Sequence, residues 1–184
     1  MPKRLWLAGL TLAALAVAPA AALVRLGGGV AAGFAFPVSQ FDNDAKTAPA
    51  GAARLYLNVF HWLSLEAGGD FDLKHAAEGK QGWGETRGLW DYRAGLIYKV
   101  DMGVVKPFVA GGGALYHEKV RLEKGWKSFE QPGFYVGPGI EYYFDEPFLA
   151  FGSFQYNRIF DDARKDLRDT QFLKLDFGLA YFVF

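Results

Sequence analysis

The chain has 184 residues, with 20 Lys and Arg against 20 Asp and Glu, and it has no cysteine. This length suggests a single domain, and the zero net charge argues against a protein that binds nucleic acid electrostatically. The lack of cysteine excludes disulfides, thiolate catalysis and Cys-ligated zinc. The unusual feature is that 23 glycines accompany 17% aromatic residues, although mean hydropathy is only +0.03.

The first 22 residues have the pattern of a cleaved secretory signal peptide. Lys3 and Arg4 precede an apolar run from Leu5 to Val17, and small residues follow as far as Ala22. About 14 apolar residues are too few for a membrane-spanning helix, which needs ~20. We therefore predict a signal peptide over residues 1–22 and a single exported domain over residues 23–184.

The rest of the chain alternates apolar and polar residues with the period of a β-strand. In the clearest segment, Trp90, Tyr92 and Leu96 share one face, while Asp91 and Arg93 share the other. Eight segments show alternation, at residues 26–36, 53–60, 63–73, 89–100, 105–116, 133–144, 148–157 and 173–183. The first and fifth are rich in Gly and Ala, so the sequence leaves open which of their faces points inward.

The connections between these segments alternate in length. Tight turns are predicted at residues 61–62, 101–103 and 145–146, and long polar stretches at residues 37–51, 74–87, 118–132 and 161–170. Eight strands of roughly ten residues each have the length that a tilted strand needs to cross a bilayer.

Two barrels of opposite polarity fit this alternation. In a soluble, lipocalin-like barrel the apolar face surrounds a ligand, whereas in an outer-membrane barrel it meets lipid. The apolar faces are edged with aromatic residues, as interfacial girdles are, and the charged faces are rich in glycine, as a narrow interior requires. We therefore predict an all-β, eight-stranded antiparallel up-and-down transmembrane β-barrel.

The C-terminal segment supports the membrane barrel. Residues 178–184 read GLAYFVF and resemble the assembly signal of bacterial outer-membrane barrels, carried by Gly178, Tyr181, Val183 and Phe184. Val183 stands where the family usually has its final aromatic residue. Residues 63–68 and 107–114 are also similar to segments of that family, and residues ~24–184 as a whole resemble the OmpA/OmpX-like eight-stranded barrels.

This resemblance implies a location in the outer membrane of a Gram-negative cell and insertion by the outer-membrane assembly machinery. With an even number of strands, both termini and the tight turns are expected in the periplasm and four long loops at the cell surface.

Ten charged residues fall on faces that are predicted to point inward. They are Arg54, Glu66, Asp70, Asp72, Asp91, Arg93, Lys99, Glu141, Lys174 and Asp176. One interpretation is a gated pore or a proton or substrate path; the other is an interior that is sealed by ion pairs. Eight strands leave little room inside, and buried charges need partners, so we favour the sealed interior.

Two other functions were considered on the same barrel. A lipid A-modifying enzyme would need a His to activate a Ser, but no His-x-Ser occurs, and only a long-range pairing of His75 or His117 with Ser128 stays open. A channel for hydrophobic solutes would need a lateral opening, for which Pro138 is the candidate break in strand pairing. We predict no catalytic residue, no metal site and no cofactor.

The predicted surface loop at residues 118–132 carries candidate contact residues. They are Arg121, Lys124, Trp126, Lys127 and Phe129. The alternative is a solvated hairpin that extends two strands above the membrane. The predicted function is a monomeric, non-catalytic barrel that maintains membrane integrity and presents loops to outer-membrane lipid, lipopolysaccharide or a host ligand, with no nucleic-acid partner.

Overall fold

A computed structural model describes residues 24–38, 47–72, 86–122, 125–145, 147–160 and 170–183. The predicted signal peptide, residues 1–22, lies outside these ranges. The described residues form eight β-strands: β1 (Arg25–Val38), β2 (Ala48–Phe60), β3 (Leu63–Asp72), β4 (Thr86–Lys99), β5 (Val105–Leu122), β6 (Gly125–Asp145), β7 (Phe148–Ile159) and β8 (Thr170–Val183).

The eight strands close into one barrel in chain order, and every neighbouring pair is antiparallel. The seam joins β1 to β8 in a ladder that runs from Leu26 opposite Val183 to Val38 opposite Gln171. This confirms the predicted fold class. In the part of the chain that the structure describes, no helix is long and apolar enough to cross a membrane.

The period-two alternation separates an apolar outside from a polar inside, because successive side chains of a strand point to opposite faces. Large hydrophobic side chains stay exposed on the outside, such as Val30 at 66%, Leu55 at 62% and Phe177 at 62%. The open question for the fifth segment is resolved. Phe108 and Tyr116 are buried in the interior, while the outward positions between them include two glycines.

Seven of the eight strands are longer than predicted, up to 21 residues in β6, whereas β3 has 10 residues and ends one residue before its predicted end. The predicted loop at residues 118–132 is mostly a paired hairpin, in which β5 and β6 continue from Glu118 opposite Phe129 to Leu122 opposite Gly125. This agrees with the alternative of a hairpin that extends two strands, which hydropathy alone could not select because both faces carry polar residues there. Tight turns at residues 61–62 and near Gly103 are confirmed.

Two ends of the barrel are distinguished below. The turn end carries the tight connections, and the loop end is the opposite end, where β1 stops and β2 begins. At the turn end, the Gly103 N–H donates to Asp101 Oδ1 at 3.1 Å, and this bond lowers the pKa of the Asp101 carboxyl. Gly103 has a φ of 81°, a conformation that glycine adopts without a steric penalty.

Pro138 does not interrupt the barrel. It lies opposite Val109 in the ladder with β5. On its other side, the pairing with β7 skips Gly137 and Pro138 and resumes in the same register, from Val136 opposite Tyr156 to Gly139 opposite Ser153. The predicted break in pairing is therefore present, but β6 and β7 stay adjacent across it, because a Cβ on Gly137 would lie 1.9 Å from the Phe154 carbonyl oxygen.

Candidate functional site

All ten charged residues that were predicted to face inward lie inside the barrel, and none is more than 5% exposed. They are Arg54, Glu66, Asp70, Asp72, Asp91, Arg93, Lys99, Glu141, Lys174 and Asp176. All but Glu141 come from β2, β3, β4 and β8. The charged residues therefore line one side of the interior, on strands that lie to either side of β1 in the barrel.

Asp70 is the centre of this wall. Its Oδ2 lies 2.7 Å from Lys174 Nζ, 2.8 Å from Arg93 Nη2 and 3.4 Å from Arg54 Nη2. We call these four residues the Asp70 hub. Lys174 Nζ also lies 3.6 Å from Asp72 Oδ1. Because its members belong to β2, β3, β4 and β8, the hub ties four strands together across the interior.

Further acceptors surround the two arginines of the hub. Arg93 donates to Asp91 from Nε at 2.9 Å and from Nη2 at 2.7 Å, and its Nη1 donates to Gln155 Oε1 at 2.8 Å. Arg54 Nη2 donates to Asp176 Oδ2 at 2.8 Å. The two-bond arrangement between guanidinium and carboxylate is the strong geometry for such pairs. It fixes Arg93 in a single orientation.

Tyr135 connects the charged wall to the opposite side of the barrel. Its hydroxyl donates to Glu66 Oε1 at 2.6 Å, and its ring lies 4.6 Å below the Arg93 guanidinium carbon. A Cβ on Gly95 or on Gly112 would lie 2.2 or 2.8 Å from the Tyr135 hydroxyl oxygen. These two glycines therefore make the space through which the phenol reaches Glu66.

A second, smaller polar network lies toward the turn end. Lys99 Nζ lies 2.7 Å from Glu141 Oε1 and donates to Asn58 Oδ1 at 3.4 Å. Tyr143 donates to Glu141 Oε2 at 2.9 Å, and the Ser64 hydroxyl donates to Asn58 Oδ1. This network again joins strands that are not neighbours in the barrel.

Two apolar clusters complete the interior. The loop-end cluster consists of Ala35, Ala50, Leu89, Ala114, Tyr116, Tyr135, Ile159 and Phe172. The turn-end cluster consists of Tyr56, Ile97, Phe108, Ala110, Leu149, Phe151, Ala180 and Phe182. Sequence analysis missed both clusters, although their members have the same parity along the strands as the charged residues. The alternation contains this signal in part, because it places Tyr56, Ile97 and Ala180 on the same faces as the charged residues.

The chemistry of this interior is that of a packed, paired core. Six acids face four bases, and Glu66 Oε2, Asp70 Oδ1 and Asp176 Oδ1 make no hydrogen bond among the described residues. Within those same residues, no group of three or more His, Cys, Asp or Glu side chains has an arrangement that could hold a metal ion. What the arrangement does is fill the bore and tie its strands together.

The predicted assembly signal lies on the last strand. Gly178 faces the interior, where a Cβ would lie 2.5 Å from the Phe151 ring. Tyr181 and Val183 face outward and are 46% and 57% exposed. Phe184 lies outside the described residues. Tyr181 and Val183 therefore share the lipid-facing side of β8 next to the seam.

The predicted surface contacts lie at the far end of the β5–β6 hairpin. Arg121, Trp126 and Lys127 are paired strand residues, and Lys124 lies outside the described residues. Their paired backbone agrees with the alternative of a hairpin that extends two strands, and their role as surface contacts stays a prediction. Phe129, also predicted there, is a half-buried residue of β6 opposite Glu118.

The histidine that was considered for catalysis has a different partner. His117 pairs with Glu130 on β6, and its Nδ1 lies 3.2 Å from Glu130 Oε1. Ser128 is one pair further along, opposite Lys119. His75 lies outside the described residues. The structure therefore places a carboxylate, not a hydroxyl, beside the His117 imidazole.

Comparison with known proteins agrees with this architecture. The family model described as "Outer membrane protein beta-barrel domain" matches residues 7–180. Neisserial surface protein A superposes with a TM-score of 0.66 at 17% identity, covering 85% of this chain and 96% of that chain. A sequence search of curated proteins finds no match.

Two further solved structures share the fold. The N-terminal β-barrel domain of Pseudomonas aeruginosa OprF has a TM-score of 0.57 at 14% identity, over 87% of this chain and 99% of that chain. The attachment invasion locus protein Ail of Yersinia pestis has a TM-score of 0.52 at 13% identity, over 87% and 97%. At these identities the similarity is one of fold.

Proposed function

Because the chain belongs to the outer membrane protein β-barrel domain family, we propose that it is a non-catalytic outer-membrane barrel that seals its own bore and presents a surface for attachment. Its role is then to add a rigid, closed element to the membrane and to carry its loop end to the cell exterior. The proposal includes contact of that end with outer-membrane lipid, lipopolysaccharide or a host ligand.

The Asp70 hub is the observation that carries the proposal. Three cations converge on one carboxylate oxygen in the middle of the bore, and aromatic clusters pack toward both ends. Opening a path for solutes would separate buried charges, and breaking a buried pair costs about 3–5 kcal/mol. A bore held in this way supports a structural role better than a role in transport.

The loop end supports the surface role. β5 and β6 are the longest strands and continue as a paired hairpin to Leu122 and Gly125. A paired hairpin has an ordered backbone, and this lowers the ordering cost of binding. Two structural relatives are a surface protein and an attachment invasion protein, and this agrees with such a role.

Planar-bilayer recording tests the sealed bore. The purified barrel is inserted into a lipid bilayer in 1 M KCl, and we expect no steady conductance. The N-terminal barrel domain of OprF, refolded by the same protocol, is measured in parallel as a control for insertion and handling. A stable open level in most insertions would contradict the sealed interior.

Replacement of the hairpin tip tests the surface role. Residues 121–127 are exchanged for a short Gly-Asn turn, and the heat-modifiable gel mobility of the barrel reports folding. We expect normal folding and a loss of binding to host cells or to lipopolysaccharide-coated surfaces. The matched control exchanges the turn residues 61–62 at the opposite end, which should leave binding unchanged. If hairpin replacement also leaves binding unchanged, the surface role is wrong.

A further inference from the structure

The first strand contributes almost no side-chain volume to the interior of the barrel. Each of the other seven strands buries at least one side chain larger than alanine inside, whereas the inward positions of β1 hold only glycine and alanine over most of its length. These positions are Gly27, Gly29, Ala31, Gly33 and Ala35. The inner surface of β1 is therefore covered by side chains that come from other strands.

Aromatic rings from both neighbouring strands cover β1 at the turn end. Gly27 lies opposite Tyr56 of β2 on one side and opposite Phe182 of β8 on the other. The centroids of these two rings are 6.1 Å apart, and an ideal Cβ on Gly27 would lie 2.6 Å from the Phe182 ring. Gly29 is also confined, since its ideal Cβ would lie 3.1 Å from the Tyr56 ring. The two rings therefore meet over the inner surface of β1 and leave room there for a bare backbone only.

An ion pair crosses β1 nearer the middle of the bore. Arg54 of β2 donates from Nη2 to Asp176 Oδ2 of β8 at 2.8 Å. The bond spans the stretch of β1 between Gly29 and Gly33, which are the ladder partners of these two residues. Side chains thus join β2 directly to β8, although β1 lies between them in the barrel. We call these crossing side chains the β1 roof, which consists of Tyr56, Phe182, Arg54 and Asp176.

The β1 roof fits only one register of β1. A slip by two residues keeps the same set of side chains inside, so alternation alone does not prevent it. In one direction this slip moves Arg25 to the place of Gly27, where even a Cβ would lie 2.6 Å from a ring. In the other direction it moves Pro37 to the place of Ala35, which is 0% exposed. Both slips place a larger side chain where the interior is already filled.

We propose that the β1 roof sets the register in which the barrel closes. The strands from β2 to β8 supply the whole roof, and β1 completes the ladders on its two sides only where its small residues lie beneath it. Gly27 is the decisive position, because rings from both neighbouring strands lie over it. Correct closure is essential in a bilayer, since lipid offers no partner to the free N–H and C=O groups of an open seam.

This inference goes beyond the proposed function and does not depend on it. It concerns how the two ends of the chain meet, whereas the proposed function concerns what the bore passes and what the loop end binds. A conducting bore or a loop end that binds nothing would leave the closure of the seam unaffected.

Disulfide cross-linking of the full chain tests the inference, because the chain has no cysteine of its own. Val30 and Leu179 lie opposite each other in the seam and face outward, so Val30→Cys with Leu179→Cys reports the native register. Val30→Cys with Phe177→Cys or with Tyr181→Cys reports a slip of two residues in either direction, because a disulfide does not span a diagonal pair. After refolding into lipid vesicles, we expect cross-linking in the native pair. Gly27→Val should lower it about tenfold, because overpacking a buried site is strongly unfavourable.

Gly28→Val is the matched control. Gly28 is the next residue of β1 but faces outward, where an ideal Cβ meets its neighbours only at ordinary distances of 3.8 and 3.9 Å. This variant should leave the native cross-linking unchanged. Phe182→Ala removes the ring over Gly27, so its addition to Gly27→Val should restore most of the native cross-linking.

Gel mobility reports whether each variant forms a barrel. If Gly27→Val forms none, recovery of the barrel by Phe182→Ala supports the inference in the same way as recovery of the cross-link. The inference is contradicted if Gly27→Val cross-links like wild type, if Gly28→Val loses as much cross-linking, or if Phe182→Ala brings no recovery.

Discussion

The Asp70 hub and the turn-end cluster close the same bore by different physical means. The hub fills its section with charges that must remain paired, because a buried charge without a partner is strongly unfavourable. The turn-end cluster fills its section with packed aromatic rings. The ring centroids of Tyr56 and Phe151 are 6.3 Å apart, and those of Tyr56 and Phe182 are 6.1 Å apart.

The two sections should respond differently when a buried side chain is replaced. A packed apolar cluster loses the contacts of the atoms that are removed, and its neighbours relax into part of the space. An ion-pair hub leaves whole charges without partners and cannot relax in this way. We therefore expect substitutions in the hub to affect both stability and the seal of the bore, and substitutions in the turn-end cluster to affect mainly stability.

Asp70→Asn should have the largest effect. It removes the shared acceptor of Lys174, Arg93 and Arg54, and we expect a loss of about 3–5 kcal/mol in the free energy of unfolding. Urea unfolding in lipid vesicles measures the loss, and bilayer recording should show intermittent conductance that wild type lacks.

A matched control for this variant lies nearby on the same strand. Asp72 makes a longer contact, 3.6 Å from Lys174 Nζ. Asp72→Asn should therefore lower the free energy of unfolding less than Asp70→Asn. Equal losses in the free energy of unfolding for the two variants would mean that the convergence of three cations on Asp70 adds no stability beyond that of a single longer contact.

Phe151→Ala should have the next largest effect and tests the apolar side of the comparison. Phe151 is 7% exposed and packs against Tyr56 in the turn-end cluster. Its truncation should cost about 3 kcal/mol, the lower end of the range for Phe to Ala. Bilayer recording of the same variant should remain silent. A conducting Phe151→Ala barrel would show that the apolar cluster, rather than the hub, forms the seal.

Tyr135→Phe should have an intermediate effect. It keeps the ring beside Arg93 and removes only the hydroxyl that donates to Glu66. Leaving a buried carboxylate oxygen without this donor should cost about 1–3 kcal/mol. Urea unfolding measures the loss, and Tyr143→Phe, which removes a similar bond to Glu141 near the turn end, is the comparison. We expect the smaller loss at Tyr143, because that side chain is only half-buried.

Alternation along the strands was enough to predict the fold, the number of strands and the inward position of residues such as Arg54 and Lys174. Each of these follows from parity, which holds along a strand between irregularities such as those after Asn58 and Tyr143. What parity could not predict is which inward residues meet. The contact of Lys174 with Asp70 joins residues 104 positions apart and depends on how the closed barrel is staggered.

The inward aromatic residues were missed for a different reason. Phe172 and Tyr116 have the parity of the charged residues, but hydrophobicity alone assigns an aromatic ring equally well to lipid or to an interior. The glycines that make room for rings provide the missing information. Gly95 and Gly112 accommodate Tyr135, and Gly178 accommodates Phe151. Recognising this from one sequence requires the strand register, which only the closed structure provides.

Gly103→Ala should have the smallest effect and extends the comparison to an exposed turn, whose contacts include the Gly103 N–H bond to Asp101 and an Asp101–Lys106 ion pair at 3.5 Å. An ideal Cβ on Gly103 meets nothing within 4 Å, but the residue has a φ of 81°. An L-residue in this conformation costs about 1–2 kcal/mol, so we expect a loss of about 1 kcal/mol in urea unfolding. Gly113→Ala is the matched control, since its space is equally open and no positive φ accompanies it. A loss at Gly103 that Gly113 does not share would show that the positive φ of Gly103 contributes to the stability of this turn. Equal changes at both positions would contradict that contribution.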